Sequence, residues 1–271
     1  MVEWSEHDAE DLNPRRLPIS AGRSALAVAT LSVGLVVTSA VNAETVFAGY
    51  AGAGSWQQNY SGDIRAGFSE IDVEDDLGID DEFNNMFYLA VEHPMPFLPD
   101  VRVSYADFDV DSNSVLSRPI DFNGVVFPTG TAIGSTIDMM QGDAMLYYEL
   151  LDNYVSLDLG LGARYLDGSI ELVADSSFSE ADFTTVIPMF YGRARTDLPL
   201  TGFWMGAEVQ GMGYSDHNLI DANAQFGWES SVGLGAELGW RLLTLDIDDV
   251  DDFDKTGIDI SGPYLALNYH F

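Results

Sequence analysis

The stretch Val155-Ser-Leu-Asp-Leu-Gly-Leu-Gly-Ala-Arg-Tyr165 decides the fold class. Its apolar residues recur with period 2, the signature of a strand. One face carries Val155, Leu157, Leu159, Leu161, Ala163 and Tyr165. The other carries Ser156, Asp158, Gly160, Gly162 and Arg164. A soluble barrel or sandwich would bury the apolar face. Here the opposite face is glycine-rich and charged, which suits a polar lumen with the apolar face turned to lipid. The same alternation recurs over 232–242, where Val232, Leu234, Ala236, Leu238, Trp240 and Leu242 oppose Glu237, Gly239 and Arg241. At the C-terminus Leu265, Leu267, Tyr269 and Phe271 alternate with Tyr264, Ala266, Asn268 and His270.

Extending this reading gives ten candidate strands, near 45–59, 85–93, 100–109, 138–150, 153–168, 182–196, 202–215, 219–229, 232–246 and 258–271. Tight connections at 93–100, 151–153, 197–201 and 230–231 alternate with mostly longer ones at 60–84, 110–137, 169–181 and 247–257, while 216–218 is short. That is the pattern of an up-and-down antiparallel barrel with two unlike ends, its termini periplasmic. Eight or twelve strands are the alternatives, because per-strand signals in such barrels are weak. Tyr50, Trp56, Tyr165 and Trp228 lie near strand ends and read as outward aromatics. Val125-Val-Phe127, between Gly124 and Pro128, reads as an extra hairpin extending above the membrane. A final strand with an apolar outer face that ends on Phe271 is the form of signal the outer-membrane barrel assembly machinery recognises.

Residues 1–43 read as an export segment. Arg15, Arg16 and Arg23 precede a short apolar run, 25–37, too short to span a bilayer, and Val41-Asn-Ala43 has the form of a cleavage site. Residues 44–271 then form one barrel domain. The 271-residue chain has 44 acidic and 11 basic residues, a formal net charge of −33. That excludes the clustered cations nucleic-acid binding requires. The absence of cysteine excludes thiol chemistry and cysteine-based metal sites.

Further blocks carry a family resemblance. They are Ala51-Gly-Ala-Gly-Ser-Trp-Gln-Gln-Asn-Tyr-Ser-Gly-Asp63, Val91-Glu-His-Pro-Met-Pro-Phe-Leu-Pro-Asp100, Leu146-Tyr-Tyr-Glu-Leu-Leu-Asp-Asn153, Leu219-Ile-Asp221, Asp246-Ile-Asp-Asp-Val-Asp-Asp252 and Gly262-Pro-Tyr-Leu-Ala-Leu-Asn-Tyr-His-Phe271. In these the chain resembles a family of outer-membrane β-barrel proteins of Gram-negative bacteria. The resemblance implies a fold and a location, and no established activity.

Alternation places Glu92, Arg102, Asp143, Glu149, Asp158, Arg164, Arg193, Arg195, Glu208, Asp221, Glu237 and Arg241 on the inner face. An Arg or Lys on the lipid face at mid-bilayer costs about 2–4 kcal/mol, so inward placement is the physical expectation. Two functional readings follow. Charge pairs fill and block a lumen far narrower than that of a 16–18-stranded pore, leaving a structural or envelope-adaptation role. Alternatively the charges line a narrow cation-preferring channel. Asp72, Glu74, Asp75, Asp76, Asp80, Asp81 and Glu82 in one expected loop, with Asp246, Asp248, Asp249, Asp251, Asp252 and Asp254 in another, form an acidic rim. Such a rim attracts divalent cations weakly and faces lipopolysaccharide; its plain alternative is a solvated, repulsive edge. No EF-hand is present, since Pro263 and Arg118 occupy the twelfth positions where Glu is required. No cofactor is implied. A rim hydrolase has a single candidate, Asp216/His217. The expected partners are outer-membrane lipid, lipopolysaccharide and the assembly machinery, and the expected state is a monomer.

Overall fold

The computed structural model describes residues 48–95, 97–152, 155–214 and 217–271. The expected export segment lies outside them. The described residues form thirteen strands: β1 (Ala48–Arg65), β2 (Ile71–Asp72), β3 (Glu82–Glu92), β4 (Asp100–Val115), β5 (Ile120–Phe122), β6 (Val125–Phe127), β7 (Ala132–Asp152), β8 (Val155–Ala174), β9 (Ser177–Asp197), β10 (Phe203–Tyr214), β11 (His217–Glu229), β12 (Leu234–Val250) and β13 (Phe253–His270). Eleven of them form one antiparallel sheet, in which β1-β3-β4-β7-β8-β9-β10-β11-β12-β13 make the barrel wall and the two-residue β2 pairs with β1. The sheet closes on itself through β13 and β1, from Tyr50 opposite His270 to Arg65 opposite Lys255. Gly49 and Phe271 complete the seam with reciprocal backbone hydrogen bonds of 3.0 and 2.9 Å. Closure leaves no continuous edge, the condition for crossing a bilayer with strands.

The ten expected barrel strands are all present, but several are much longer than expected. β7 and β9 have 21 residues and β8 has 20, whereas about 9–11 suffice to cross the hydrocarbon. The expected loop at 169–181 is strand except for its turn, since β8 and β9 meet across Ala174 and Ser177. The expected loop at 247–257 is likewise strand, and β12 turns into β13 between Val250 and Phe253.

The extra length has its own polarity. On β8 the outer face runs Val155, Leu157, Leu159, Leu161, Ala163, Tyr165 and then Asp167, Ser169, Glu171. Its inner face runs Asp158, Arg164 and then Leu166, Ile170, Leu172. Both faces exchange character at Tyr165–Leu166. On β12 the exchange falls at Leu242–Leu243, after which Thr244, Asp246 and Asp248 face out and Leu245 and Ile247 face in. On β4 it falls at Tyr105–Ala106, with Asp107, Asp109 and Asp111 outside and Phe108 and Val110 inside. The lower half of the barrel is therefore apolar outside and polar inside. The upper half is acidic outside and apolar inside, like a water-soluble β-barrel. Tyr105 and Tyr165 both stand opposite Gly142 and mark the level of the exchange, the interfacial position of an aromatic girdle.

This corrects the expectation of a polar interior throughout. It also corrects two aromatics: Tyr50 and Trp56 face inward, and Trp56 is fully buried, its indole N–H donating to Gly262 O at 3.2 Å. The hairpin at 120–127 exists but folds into the mouth and does not rise above it. Ile120, Phe122 and Phe127 are fully buried, and Phe122 packs edge-on against Phe253. With Ile71, Val73, Leu77 and Ile79 from the segment after β1, this hairpin fills the upper barrel.

Candidate functional site: the barrel interior

In the lower half the sheet brings most of the sequence-predicted charges into one network. Arg164, fully buried on β8, donates to Asp143 of β7 at 2.7 and 3.0 Å. It also reaches Asp221 of β11 at 2.7 Å and Gln210 of β10 at 3.1 Å. Arg241 of β12 grips the same Asp221 in a fork, at 2.9 and 2.6 Å, and lies over the Trp56 ring. Planar guanidinium is suited to this two-pronged pairing with carboxylate. Arg102 crosses from β4 to Glu208 on β10 at 3.3 Å, and Gln210 donates to Glu208 at 3.1 Å, joining the two clusters. Tyr88 and Asn268 both donate to Glu237 at 3.2 Å.

Toward the lower mouth, where β1 begins and β13 ends, a second tier forms. Arg193 lies 3.8 Å from Asp158. Arg195 bridges Asp197 and Glu229 at 2.9 and 3.5 Å and stacks on Trp204. Both guanidinium groups also face the Tyr50 ring across the lumen. Tyr147 donates to Glu92 at 3.3 Å. Glu149 is the exception among the predicted residues. A register shift between Glu149 and Leu151 lets the strand bulge at that end, and Glu149 is exposed there. The residues that sequence reasoning missed are the neutral couplers, Gln58, Gln141, Gln210, Tyr88 and Asn268. They share the inward parity of the charged residues, and that parity was the signal for them.

The acidic rim is less a rim than a set of local fastenings. Asp76 is buried and paired with Arg118. Asp72 accepts the N–H groups of Glu74 and Asp75 at 2.9 and 2.7 Å, and Asp81 accepts from Gln57 at 3.1 Å. Asp249 and Asp251 hold positive φ, 53° and 48°, a conformation Asp tolerates better than most residues. Asp251 and Asp252 accept the N–H groups of Thr184 and Asp182 on β9 at 2.7 and 3.1 Å, and Asp254 accepts that of Gly67 at 3.0 Å. Asp80 and Glu82 are exposed on the outer surface around them, and Asp248 lies half-buried on the β12 wall. The two acidic segments are neighbours, as barrel closure requires. Among the described residues no group of three or more His, Asp or Glu converges as a metal ion needs.

The rest of the acidity covers the outer wall of the upper half. Asp109 stands directly opposite Asp138, and Glu171 opposite Glu180. Partial burial, then the charges of Asp138, Asp111, Asp107 and Glu82, hold the Asp109 carboxyl above its ordinary range. Glu180 is raised by desolvation together with Asp182 and Glu171. Hydroxyl groups relieve part of this: Thr136 donates to Asp111, Thr184 to Asp167 and Thr244 to Asp259, at 2.6, 2.7 and 2.6 Å. Of the hydrolase candidate, Asp216 lies outside the described residues. His217 Nδ1 accepts the Asp248 N–H at 3.3 Å, so the ring is committed to its neighbouring strand through that nitrogen.

A closed antiparallel barrel with a lipid-type outer belt and a charged interior behind that belt is an outer-membrane β-barrel. The protein resides in the outer membrane of a Gram-negative bacterium. No protein-family model matches the sequence, and no curated protein matches it. Similar solved structures include Ail, the attachment invasion locus protein of Yersinia pestis, in complex with the heparin analogue sucrose octasulfate (12% identity, covering 83% of this chain and 99% of that one, TM-score 0.39). Others are the transport unit of the autotransporter AIDA-I from Escherichia coli (10%, 88% and 94%, 0.42) and the P. putida toluene transporter TodX (7%, 84% and 90%, 0.25). At these identities the likeness reaches no further than the fold.

Proposed function

We propose that the protein is a non-conducting barrel with a structural role at the cell surface, presenting its acidic upper wall to lipopolysaccharide. The observation that carries this reading is Arg164, which spans the lumen from β8 to β11 and is fully buried between Asp143 and Asp221. An ion crossing the barrel has to displace that pairing, and removing one partner of a buried pair costs about 3–5 kcal/mol. Above it the hairpin of β5 and β6 closes the mouth with apolar side chains. The polar cavity inside the network is about 30 Å³, room for very few water molecules. Contact with lipopolysaccharide is supported by height: the acidic wall begins just above the tyrosine girdle, where outer-leaflet headgroups lie. Both surfaces are negative, so such contact requires cations between them.

Single-channel recording of the refolded barrel in a planar bilayer tests this, with and without millimolar Ca²⁺. The expected result is silence in both conditions, and Ca²⁺-dependent retention of lipopolysaccharide by the same protein. Reproducible cation-selective steps would replace this reading with the narrow channel.

A further inference from the structure

Two features of the upper half coincide. The first is a gap in the wall. β10 and β11 are the short pair, joined across Tyr214 and His217, while their neighbours β9 and β12 continue past them. β10 pairs with β9 only as far as Gly211 opposite Phe190. Among the described residues the stretch of β9 from Ser177 to Met189 pairs with no strand on that side, although its other edge is bonded to β8 throughout. The free edge is fastened at its top by Asp251 and Asp252 of the β12–β13 turn and by Asn123 of the inner hairpin, which donates to Glu180 O at 2.8 Å. Below those fastenings Val186 and Pro188 remain. The N–H groups of Asp182 and Thr184 point into the gap, so by alternation the nitrogen of Pro188 does too. Proline is confined to strand edges because it cannot donate to a ladder. Pro188 in the middle of a 21-residue strand marks this segment as an edge in the sequence itself.

The second feature is what lies behind the gap. An apolar cavity of about 50 Å³ occupies the upper barrel, lined by Ile64, Ile137, Ile170, Phe183, Leu245 and Ile260 among others. Its size is several times the 10–15 Å³ that a water molecule needs, but water needs two to four polar partners and this lining is almost wholly apolar. Below the gap, on the outer wall, Leu161, Pro188, Phe190, Met212 and Tyr214 line an apolar groove. Val186 is opposite Tyr165, so the gap opens at the girdle, where the outer leaflet meets the headgroups.

We propose that the upper chamber binds the end of a small hydrocarbon, which arrives sideways from the outer leaflet through the gap between β9 and β12. The chamber's chemistry selects an alkyl terminus, whether of a free hydrocarbon or of a lipid acyl chain. The Asp251–Asp252 turn latches the portal. This goes beyond a purely structural barrel and leaves the closed lower lumen untouched.

The test uses methyl NMR of the full barrel in lipid nanodiscs, with isoleucine methyls as reporters. Xenon and n-pentane are the probes. Saturable shifts confined to Ile64, Ile137, Ile170, Ile247, Ile258 and Ile260, the isoleucines of the lining, are expected. Ile170→Phe and Leu245→Phe fill the chamber from two strands, and each should weaken binding at least tenfold; heat-modifiable gel mobility confirms which variant is folded. The chain has no cysteine, so the pair Asp182→Cys and Asp252→Cys gives an unambiguous cross-link across the latch. Oxidation should slow probe exchange at least tenfold, and reduction should restore it. Nanodiscs with a spin label at the acyl terminus separate the two sources: relaxation of the chamber methyls without added probe identifies the lipid chain, and its absence beside pentane binding identifies a free hydrocarbon. Absence of saturable shifts, or shifts in the wild type that folded filling variants retain, overturns the chamber. Exchange unchanged by the cross-link overturns sideways access. Silence in planar bilayers bears only on the lower lumen, so the two proposals fail separately.

Discussion

The lower and upper halves of this barrel are built by the same ten strands and obey opposite rules. Below the tyrosine girdle the environment outside is hydrocarbon. Outward positions are Leu, Val, Ala and aromatics, and the charges turn inward, where Arg164 and Arg241 pair with Asp143 and Asp221. Above the girdle the environment outside is water and headgroups. Outward positions become Asp, Glu, Ser and Thr, and Ile, Leu and Phe turn inward around the inner hairpin. The strand geometry is continuous through the boundary; only the solvent changes. The comparison teaches that polarity along a membrane strand reports what surrounds it at each height, so inside and outside have to be read height by height.

The largest expected effect comes from the lower interior. Arg164→Met leaves Asp143 and Asp221 buried with one cation fewer and should destabilise the barrel by about 3–5 kcal/mol. A urea midpoint, read by gel mobility, measures it. Adding Asp143→Asn should restore part of the loss, while a loss under 1 kcal/mol would mean that the network is solvated.

The next experiment contrasts the two outer walls on one strand. Leu161→Arg places a charge on the lipid face and should cost about 2–4 kcal/mol. Ser169→Arg, on the same face of β8, sits between Asp138 and Asp182 in register. It should be neutral or stabilising by about 0.2–1 kcal/mol, as expected of opposite charges paired across strands. Equal costs at both positions would erase the boundary at Tyr165.

The smallest effect concerns pH. The Asp109 carboxyl is raised in the folded protein, so the folded state binds more protons than the unfolded chain and stability falls as pH rises through that group's titration. Asp109→Asn should therefore stabilise at pH 7, and the advantage should shrink as pH drops through the carboxylate range. Thermal unfolding at a series of pH values follows it. An advantage independent of pH would assign the gain to packing and not to charge.

Much of this was legible in the chain. The alternation over 155–165 supplied the strand and its outward face, and the same pattern supplied all ten barrel strands. Of the twelve charges that parity assigns to the inner face, the structure places eleven at the lumen and exposes Glu149. The upper half was legible only as interruption. On β8 the apolar residues are odd-numbered through Tyr165 and even-numbered from Leu166; on β12 they are even through Leu242 and odd from Leu243. Each swap looks like the end of a strand followed by a loop. The signal that identifies it is the apolar doublet, Tyr165-Leu166 or Leu242-Leu243, followed by alternation just as regular with its phase reversed. The acidic runs misled in a related way, because Asp is common both on solvated walls and in turns that need positive φ, and the residue type does not separate these uses.

What the sequence determined by itself is the period and which residues share a face. Those follow from covalent geometry, since successive side chains on a strand must point to opposite sides. What only the tertiary structure decided is which side is the interior at each height, how far Arg164 reaches across it, and where the short β10–β11 pair leaves the wall open. These depend on closure and register, which set every strand against a common boundary between lipid and water that no single strand can specify.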